Sequence, residues 1–271
     1  MIKKTEIEDI ITNDLNEVLK NKTIYKYSNF ETGLERIVLN KTLKFSHPSI
    51  FNDPFDCNED LLKVDISAEV LDKTIDELDI NLTPSRREQI KKLYNNPNTL
   101  SSMLKKHKDK FKISCFSKLN DEVLMWSHYA DKHKGICIGF NFPYKYDDKF
   151  ILCPVKYLDK MLPLDGETST DRIFMYWLTA KSVRWRYEQE IRAITNSNSK
   201  ETEEIIHYDK KFINEIIFGC NVGDREIKVA IEKIKTVDLN FKKIIFKRMI
   251  IDKETFLLKE KIINHLSLKI D

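Results

Sequence analysis

The stretch from Phe111 to Phe140, FKISCFSKLNDEVLMWSHYADKHKGICIGF, leaves little freedom in how it folds. Ile113, Cys115 and Ser117 alternate with Lys112, Ser114 and Phe116, the period of a pleated strand. Asn120 or Asp121 can cap a helix after it. Asp121 and Glu122 suit the positive end of that helix, and Lys132, His133 and Lys134 its negative end. Gly135 is the expected residue just past the helix, at positive φ, releasing the chain into a strand over Ile136–Phe140. Strand, helix and strand in so short a span commit this neighbourhood to mixed α and β. The helix body is less ordinary. Met125, Trp126, His128 and Tyr129 put polar and aromatic chemistry where a plain core helix carries Leu and Ala, and such inconsistencies mark candidate functional sites.

The flanks continue the pattern. Apolar residues at helical spacing over 5–20 predict an amphipathic helix, and Thr23–Tyr27 (TIYKY) a strand. Thr32 is placed to cap a helix over Gly33–Leu39, with a second strand over Lys41–Phe45. SHPSIFNDPFDCNED, rich in Pro, Asn and Asp, is an irregular loop. Residues 62–110 are charged and helical in pattern, a helical insertion beside the core. Ile151–Tyr157 reads as a strand, Thr168–Ser182 as a helix begun by Ser169 or Thr170, and Trp185–Ile194 as a strand. Strand Ile213–Phe218, a Gly-containing turn, helix Asp224–Ile234 and strand Ile244–Ile251 form a βαβ-like unit within a C-terminal extension over about 205–271. The expected whole is one α+β domain, 1–271, around a central, mostly antiparallel sheet.

Composition narrows the classes of function. The 46 basic and 43 acidic residues leave a net charge of +3, which argues against a protein that coats nucleic acid at large. The N-terminal residues are interrupted by acids and lack an apolar core, so no secretory leader is expected, and no apolar run is long enough to span a bilayer. Five scattered cysteines without a CxxC pair read as reduced thiols of a cytoplasmic protein, with no zinc site.

Three segments carry more chemistry than their local structure needs. FNDPFD, Phe51–Asp56, packs two aromatics and two carboxylates into six residues. It reads either as a rigid turn with Asx-type bonds or as a loop that turns Asp53 or Asp56 towards a ligand. In the helix around Met125–Tyr129, His128 and His133 are five apart and do not share a face, so a two-His metal site is not expected. RWRYEQEIRAI, Arg184–Ile194, as a strand would set Trp185, Tyr187 and Ile191 towards the core. Arg184, Arg186, Glu188, Glu190 and Arg192 would then lie on the opposite face. That charged face is either a solvated surface or a site where paired acids perturb each other's ionisation.

Together these motifs identify the chain as a member of an uncharacterised family of bacterial proteins: YKY at Tyr25–Tyr27, FNDPFD at Phe51–Asp56, CFS at Cys115–Ser117, MWxHYAxxHxG at Met125–Gly135 and WxYExExR at Trp185–Arg192. The order of pieces also resembles the ADP-ribosyltransferase superfamily, some members of which carry a late strand with an E-x-E pair. The chain departs from that pattern in having Tyr25-Lys26-Tyr27 where an arginine or histidine is usual, and Cys-Phe-Ser where many members have Ser-Thr-Ser.

The second resemblance implies an NAD-dependent ADP-ribosyltransferase-like enzyme or NAD glycohydrolase, a bacterial stress or phage-defence effector with a small-molecule nucleotide and a macromolecular acceptor as partners. Cleaving the nicotinamide–ribose bond develops positive charge on the ribose, which a carboxylate stabilises. The resemblance assigns that role to Glu190, with Glu188 orienting or deprotonating the acceptor. It implies contacts to NAD from Tyr25, Lys26 and Tyr27, from Asn52, Asp53 and Phe55 of the loop, from Ser117, from Trp126, His128 and Tyr129, and from Arg192. Tyr27 and Tyr129 would stack on a ring, and Lys26 or Arg192 would meet the pyrophosphate. Two other readings stay open. One is a non-catalytic module that recognises a nucleotide or protein; the other is a metal-dependent nuclease using Asp53, Asp56, Glu188 and Glu190.

Overall fold

The computed structural model describes residues 23–65, 82–94, 97–165, 170–237 and 243–264. The N-terminal helix expected over 5–20 lies outside these residues, as do part of the insertion, Thr168 and the cap candidate Ser169 of the helix expected after it, and the end of the C-terminal extension. The strands are β1 (Ile24–Ser28), β2 (Thr42–Ser46), β3 (Val64–Asp65), β4 (Phe111–Ser117), β5 (Ile136–Phe140), β6 (Lys145–Tyr146), β7 (Phe150–Pro154), β8 (Lys156–Leu158), β9 (Leu164–Asp165), β10 (Ala180–Ser182), β11 (Glu190–Asn196), β12 (Glu203–His207), β13 (Ile213–Phe218), β14 (Ile245–Ile251) and β15 (Leu258–Ile262). The helices are α1 (Thr32–Leu39, wound as a π-helix), α2 (Pro84–Tyr94), α3 (Pro97–Lys108), α4 (Val123–Tyr129), α5 (Thr170–Thr179) and α6 (Asp224–Thr236). Among the described residues no helix is long and apolar enough to cross a membrane.

An 11-stranded sheet runs β15-β14-β13-β5-β1-β4-β11-β7-β6, with β2 and β12 branching from β4. Its pairs are antiparallel except β13 with β14, which are parallel and joined through α6. The mixed α+β class and mostly antiparallel sheet agree with the sequence, as does the βαβ unit. Helix α6 buries Ile227, Ala230, Ile231 and Ile234, the i, i+3, i+4, i+7 stripe of a helix laid on a sheet. Of the insertion, α2 and α3 are described. Helix α3 is tied to the segment before it by Lys108 donating to Glu59 at 2.7 Å and Ser101 to Asp60 at 2.7 Å.

Strand β4 is where the sheet divides. Its last residue, Ser117, pairs with Tyr25 of β1, while Ile113 pairs with Ser46 of β2, so two strands share one edge of β4 and part from each other along it. The other edge is filled by β11, from Glu190 opposite Ser117 to Asn196 opposite Phe111. Tyr25, Ser117 and Glu190 therefore stand in one row across three strands, at the mouth of the division.

The local reading needs three corrections. Val183–Glu188 is a 3-10 helix, not the first half of a strand; Gln189 turns the chain at φ 43°, and the strand begins at Glu190. Ser182 starts the 3-10 segment by accepting the N–H of Arg184, and Ser117 donates to the Glu188 carbonyl at 2.6 Å, which holds its end. Burial is reversed as well: Trp185 and Tyr187 are half-buried, while Glu188 and Glu190 are each 3% exposed. Ion pairing, described below, outweighs the alternation rule. At α4 the cap is Glu122, whose carboxylate accepts the Leu124 N–H, and the Asn120 carbonyl instead accepts from the Trp126 indole at 2.7 Å.

The third correction concerns the far end of α4. The left-handed residues there are Asp131, Lys132 and His133, and Gly135 has no positive φ. Gly135 is required by proximity, because a Cβ at that position would lie 2.1 Å from the Ser28 carbonyl oxygen. The backbone of β1 and the turn after α4 meet there with no room for a methyl group. Gly135→Ala is expected to cost about 1–3 kcal/mol, the range of an overpacked site, measured by urea denaturation; an unchanged midpoint would show that the turn yields freely.

Candidate functional site

The division of the sheet opens a cleft of about 480 Å³, and elements distant in sequence supply its walls. Strand β1 gives Tyr25, Lys26 and Tyr27, and β4 gives Cys115 and Phe116. The FNDPFD loop gives Phe51, Asn52 and Asp56, and α4 gives Met125, His128 and Tyr129. Lys181 from β10, Glu188 and Glu190 form the deepest polar part. Pockets that gather aromatic rings and convergent charges from separate segments are the usual form of a small-molecule site.

The floor is a buried ion cluster centred on two cations. Arg192 is fully buried, and each of its five N–H groups has a partner. Nε donates to Glu190 at 3.0 Å. One terminal nitrogen donates to the Leu178 carbonyl at 2.7 Å and the Cys57 sulfur at 3.2 Å, the other to Asp56 at 2.6 Å and Glu190 at 3.3 Å. Lys181 stands among three carboxylates, with Nζ at 2.5 Å from Glu188, 2.9 Å from Glu190 and 3.6 Å from Asp56. Tyr129 donates to the remaining Glu188 oxygen at 2.7 Å. The backbone N–H of Glu190 donates to the Tyr157 hydroxyl at 2.7 Å, which fixes the start of β11.

These contacts set the ionisation of the floor. Burial pushes the Glu190 carboxyl upward, but the charges of Arg192 and Lys181 outweigh it and bring the group down to about 2. Lys181 is pushed down by burial and raised further by Glu190, Glu188 and Asp56, so it stays an ammonium. Burial and then Glu188 raise the Tyr129 phenol, which remains a donor. Three carboxylates facing two firmly held cations leave the floor one negative charge in excess when all are ionised.

Most residues singled out from the sequence meet here: Tyr25, Lys26, Tyr27, Asn52, His128, Tyr129, Glu188 and Glu190 line the cleft. Others sit elsewhere. Trp126 is fully buried against Tyr27, ring edge to ring face at 5.3 Å between centroids, so it supports the wall from behind. Ser117 is buried and spent on the Glu188 carbonyl and the Leu119 N–H. Asp53 is buried outside the cleft, accepting the N–H of Phe55, and Phe55 itself is 63% exposed. Arg192 lies beneath the floor with every donor engaged, and the geometry turns it from a phosphate contact into the support of Glu190.

Lys181 and Phe51 were not singled out. A lone charge inside the apolar run WLTAKSV was the available signal for Lys181, since a buried lysine demands carboxylate partners. Nothing in the sequence showed which carboxylates those were.

Residues 125–193 are similar to the DUF2971 family, whose model is described as a protein of unknown function. No curated protein and no solved structure matches the chain. The matched span runs from the cleft-facing end of α4 through Lys181, Glu188, Glu190 and Arg192, so most of the ion cluster lies inside the domain match. Strand β1 and the FNDPFD loop, with Asp56, lie outside it.

The cluster generates a stability prediction. Removing the guanidinium in Arg192→Ala leaves Asp56 and Glu190 buried and short of donors, at a cost of about 3–5 kcal/mol. Arg192→Lys restores one charge but not the planar five-donor fork, and should recover only part of that loss. Urea denaturation of the three proteins measures both effects; an Arg192→Ala protein as stable as the parent would mean the cluster does not hold the fold.

Proposed function

We propose that the chain is an NAD-dependent ADP-ribosyltransferase-like enzyme or NAD glycohydrolase with its site in this cleft. The observation that carries the reading is a carboxylate, Glu190, held ionised beneath an opening walled by aromatic rings. Tyr27, Phe51, Phe116 and Tyr129 suit a planar heterocycle, and the excess negative charge of the floor suits the cationic nicotinamide ring. Both Glu190 oxygens accept from Arg192 or Lys181, so the group is placed as a fixed charge and not as a nucleophile. Breaking the bond between ribose C1′ and the nicotinamide nitrogen sends the electron pair to the ring and leaves positive charge on the sugar. A preorganised carboxylate favours that charge without having to reorganise as it develops. Water or an acceptor nucleophile then bonds to C1′ and gives up a proton.

The nuclease reading fits the floor less well. Asp56, Glu188 and Glu190 do converge, but Lys181 Nζ occupies the point between them that a divalent ion would need, and Asp53 lies apart.

Nicotinamide release from NAD by the purified protein tests the reading. The parent protein is expected to release it. Glu190→Gln should fall by about 100- to 1,000-fold, the scale of losing one preorganised charge-stabilising group, with rates corrected for folded fraction because the substitution also weakens the ion cluster. A parent protein that binds NAD and leaves it intact would make the cleft a recognition site, and a Glu190→Gln protein that keeps its full rate would end the role given to the carboxylate.

A further inference from the structure

The cleft holds two lysines in opposite circumstances. Lys181 is surrounded by carboxylates, whereas Lys26 has none within ion-pair distance among the described residues. Its Nζ donates to the Ser114 hydroxyl at 3.0 Å and to the Cys115 carbonyl at 2.8 Å, in the gap where β1 leaves β4. Both partners are neutral acceptors. A neutral amine has two N–H groups and one lone pair, so two acceptors satisfy its donors and leave the lone pair over. An ammonium in the same place has a third N–H to satisfy and no counter-ion beside it. The Phe116 ring, 5.3 Å from Nζ, favours a charge only weakly by comparison with the loss of hydration. Burial, the dominant influence, pushes the Lys26 amine below the ordinary lysine value; Cys115 and Glu190 act the other way and Lys44 reinforces it. Lys26 lines the cleft, so the lone pair has access to a bound molecule.

We infer that Lys26 is a nucleophilic amine that forms an imine with the carbonyl group of a small aldehyde or ketone bound in the cleft. The Nζ lone pair attacks the carbonyl carbon as the C=O π pair moves to oxygen. A proton passes from nitrogen to that oxygen, giving a carbinolamine. Loss of the oxygen as water leaves the C=N bond, so amine plus carbonyl gives imine plus one water, without oxidant or reductant. Lysines that are partly desolvated and lack a counter-ion are the ones protein sites use for this chemistry, and Lys26 is half-buried at the cleft wall. The inference does not rest on NAD cleavage, although the aldehyde form of a freed sugar belongs to the same chemical class.

The test treats the full-length protein at neutral pH with limiting pyridoxal, traps imines with sodium cyanoborohydride and maps modified lysines by peptide mass spectrometry. Lys26 is expected to be labelled about tenfold or more faster than exposed Lys145, because reaction follows the free-amine fraction; Lys181, held as an ammonium in the same cleft, should stay unlabelled. Lys26→Arg should lose that label, with the other sites unchanged and the fold intact by circular dichroism. Since the comparison among lysines is made within the parent protein, it stands even if the variant folds poorly. Lys26 labelled no faster than Lys145, or no faster than Lys181, would overturn the inference.

Discussion

The structure depends on the contact between Arg192 and the carboxylates of Asp56 and Glu190. Asp56 belongs to an irregular loop, Glu190 and Arg192 to β11, and Lys181 to the short strand β10, so one guanidinium and one ammonium join segments that hydrogen-bonded ladders alone do not bring together. Taking five charged groups out of water is costly, and their mutual attraction repays that cost only where the geometry satisfies each donor and acceptor. Arg192 meets the requirement through a carbonyl and a cysteine sulfur as well as the carboxylates. An apolar floor of equal volume could hold the same elements together, but it could not hold an ionised carboxylate at the bottom of a cleft.

The sheet and the cluster position each other. Because β4 gives one edge to both β1 and β2, the strands part near Ser117, and its partners on either side, Tyr25 and Glu190, line the opening. Ser117 is the hinge of this arrangement, its hydroxyl joining the Glu188 carbonyl to the Leu119 N–H. That link sets the register in which the 3-10 segment delivers Glu188 to Lys181. Across the same cleft, Lys26 meets only neutral acceptors. Two lysines within one opening are thus tuned apart by their neighbours, one towards the charged form and one towards the free amine.

How much of this was legible in the sequence varied with the kind of force involved. The βαβ unit and α6 followed from apolar spacing, because burying Ile227, Ile231 and Ile234 is a local demand the pattern states outright. The convergence of the YKY strand, the FNDPFD loop and the Met125–Tyr129 helix was signalled by chemistry in excess of local need. The side chains chosen within them were partly different: Trp126 and Asp53 stand behind or beside the cleft, while Asp56, the other carboxylate weighed in the loop, lines it together with Phe51. The segment before Glu190 misled, because period-two reasoning assumes that apolar groups go inward. Here Lys181 and Arg192 draw two glutamates inside and leave Trp185 half-buried. Arg192 is two residues from Glu190 and Lys181 seven from Glu188, so these charges were in view; what the alternation did not show is the 3-10 segment between Lys181 and Glu190 and the remote Asp56 that completes the cluster. Gly135 misled differently: its need was for space beside Ser28, a tertiary contact that resembles a helix-end glycine in sequence.

The central claim is that the cluster keeps Glu190 ionised under the cleft. A carboxyl-detected NMR titration of protein labelled with ¹³C-glutamate, with Glu190 assigned by difference from Glu190→Gln, measures that state directly. The carboxyl should stay ionised well below the ordinary value of 4.5, with a midpoint near about 2. A Glu190 that takes up its proton at or above 4.5 in the folded protein would contradict the claim, because Arg192 and Lys181 would then not be holding its charge.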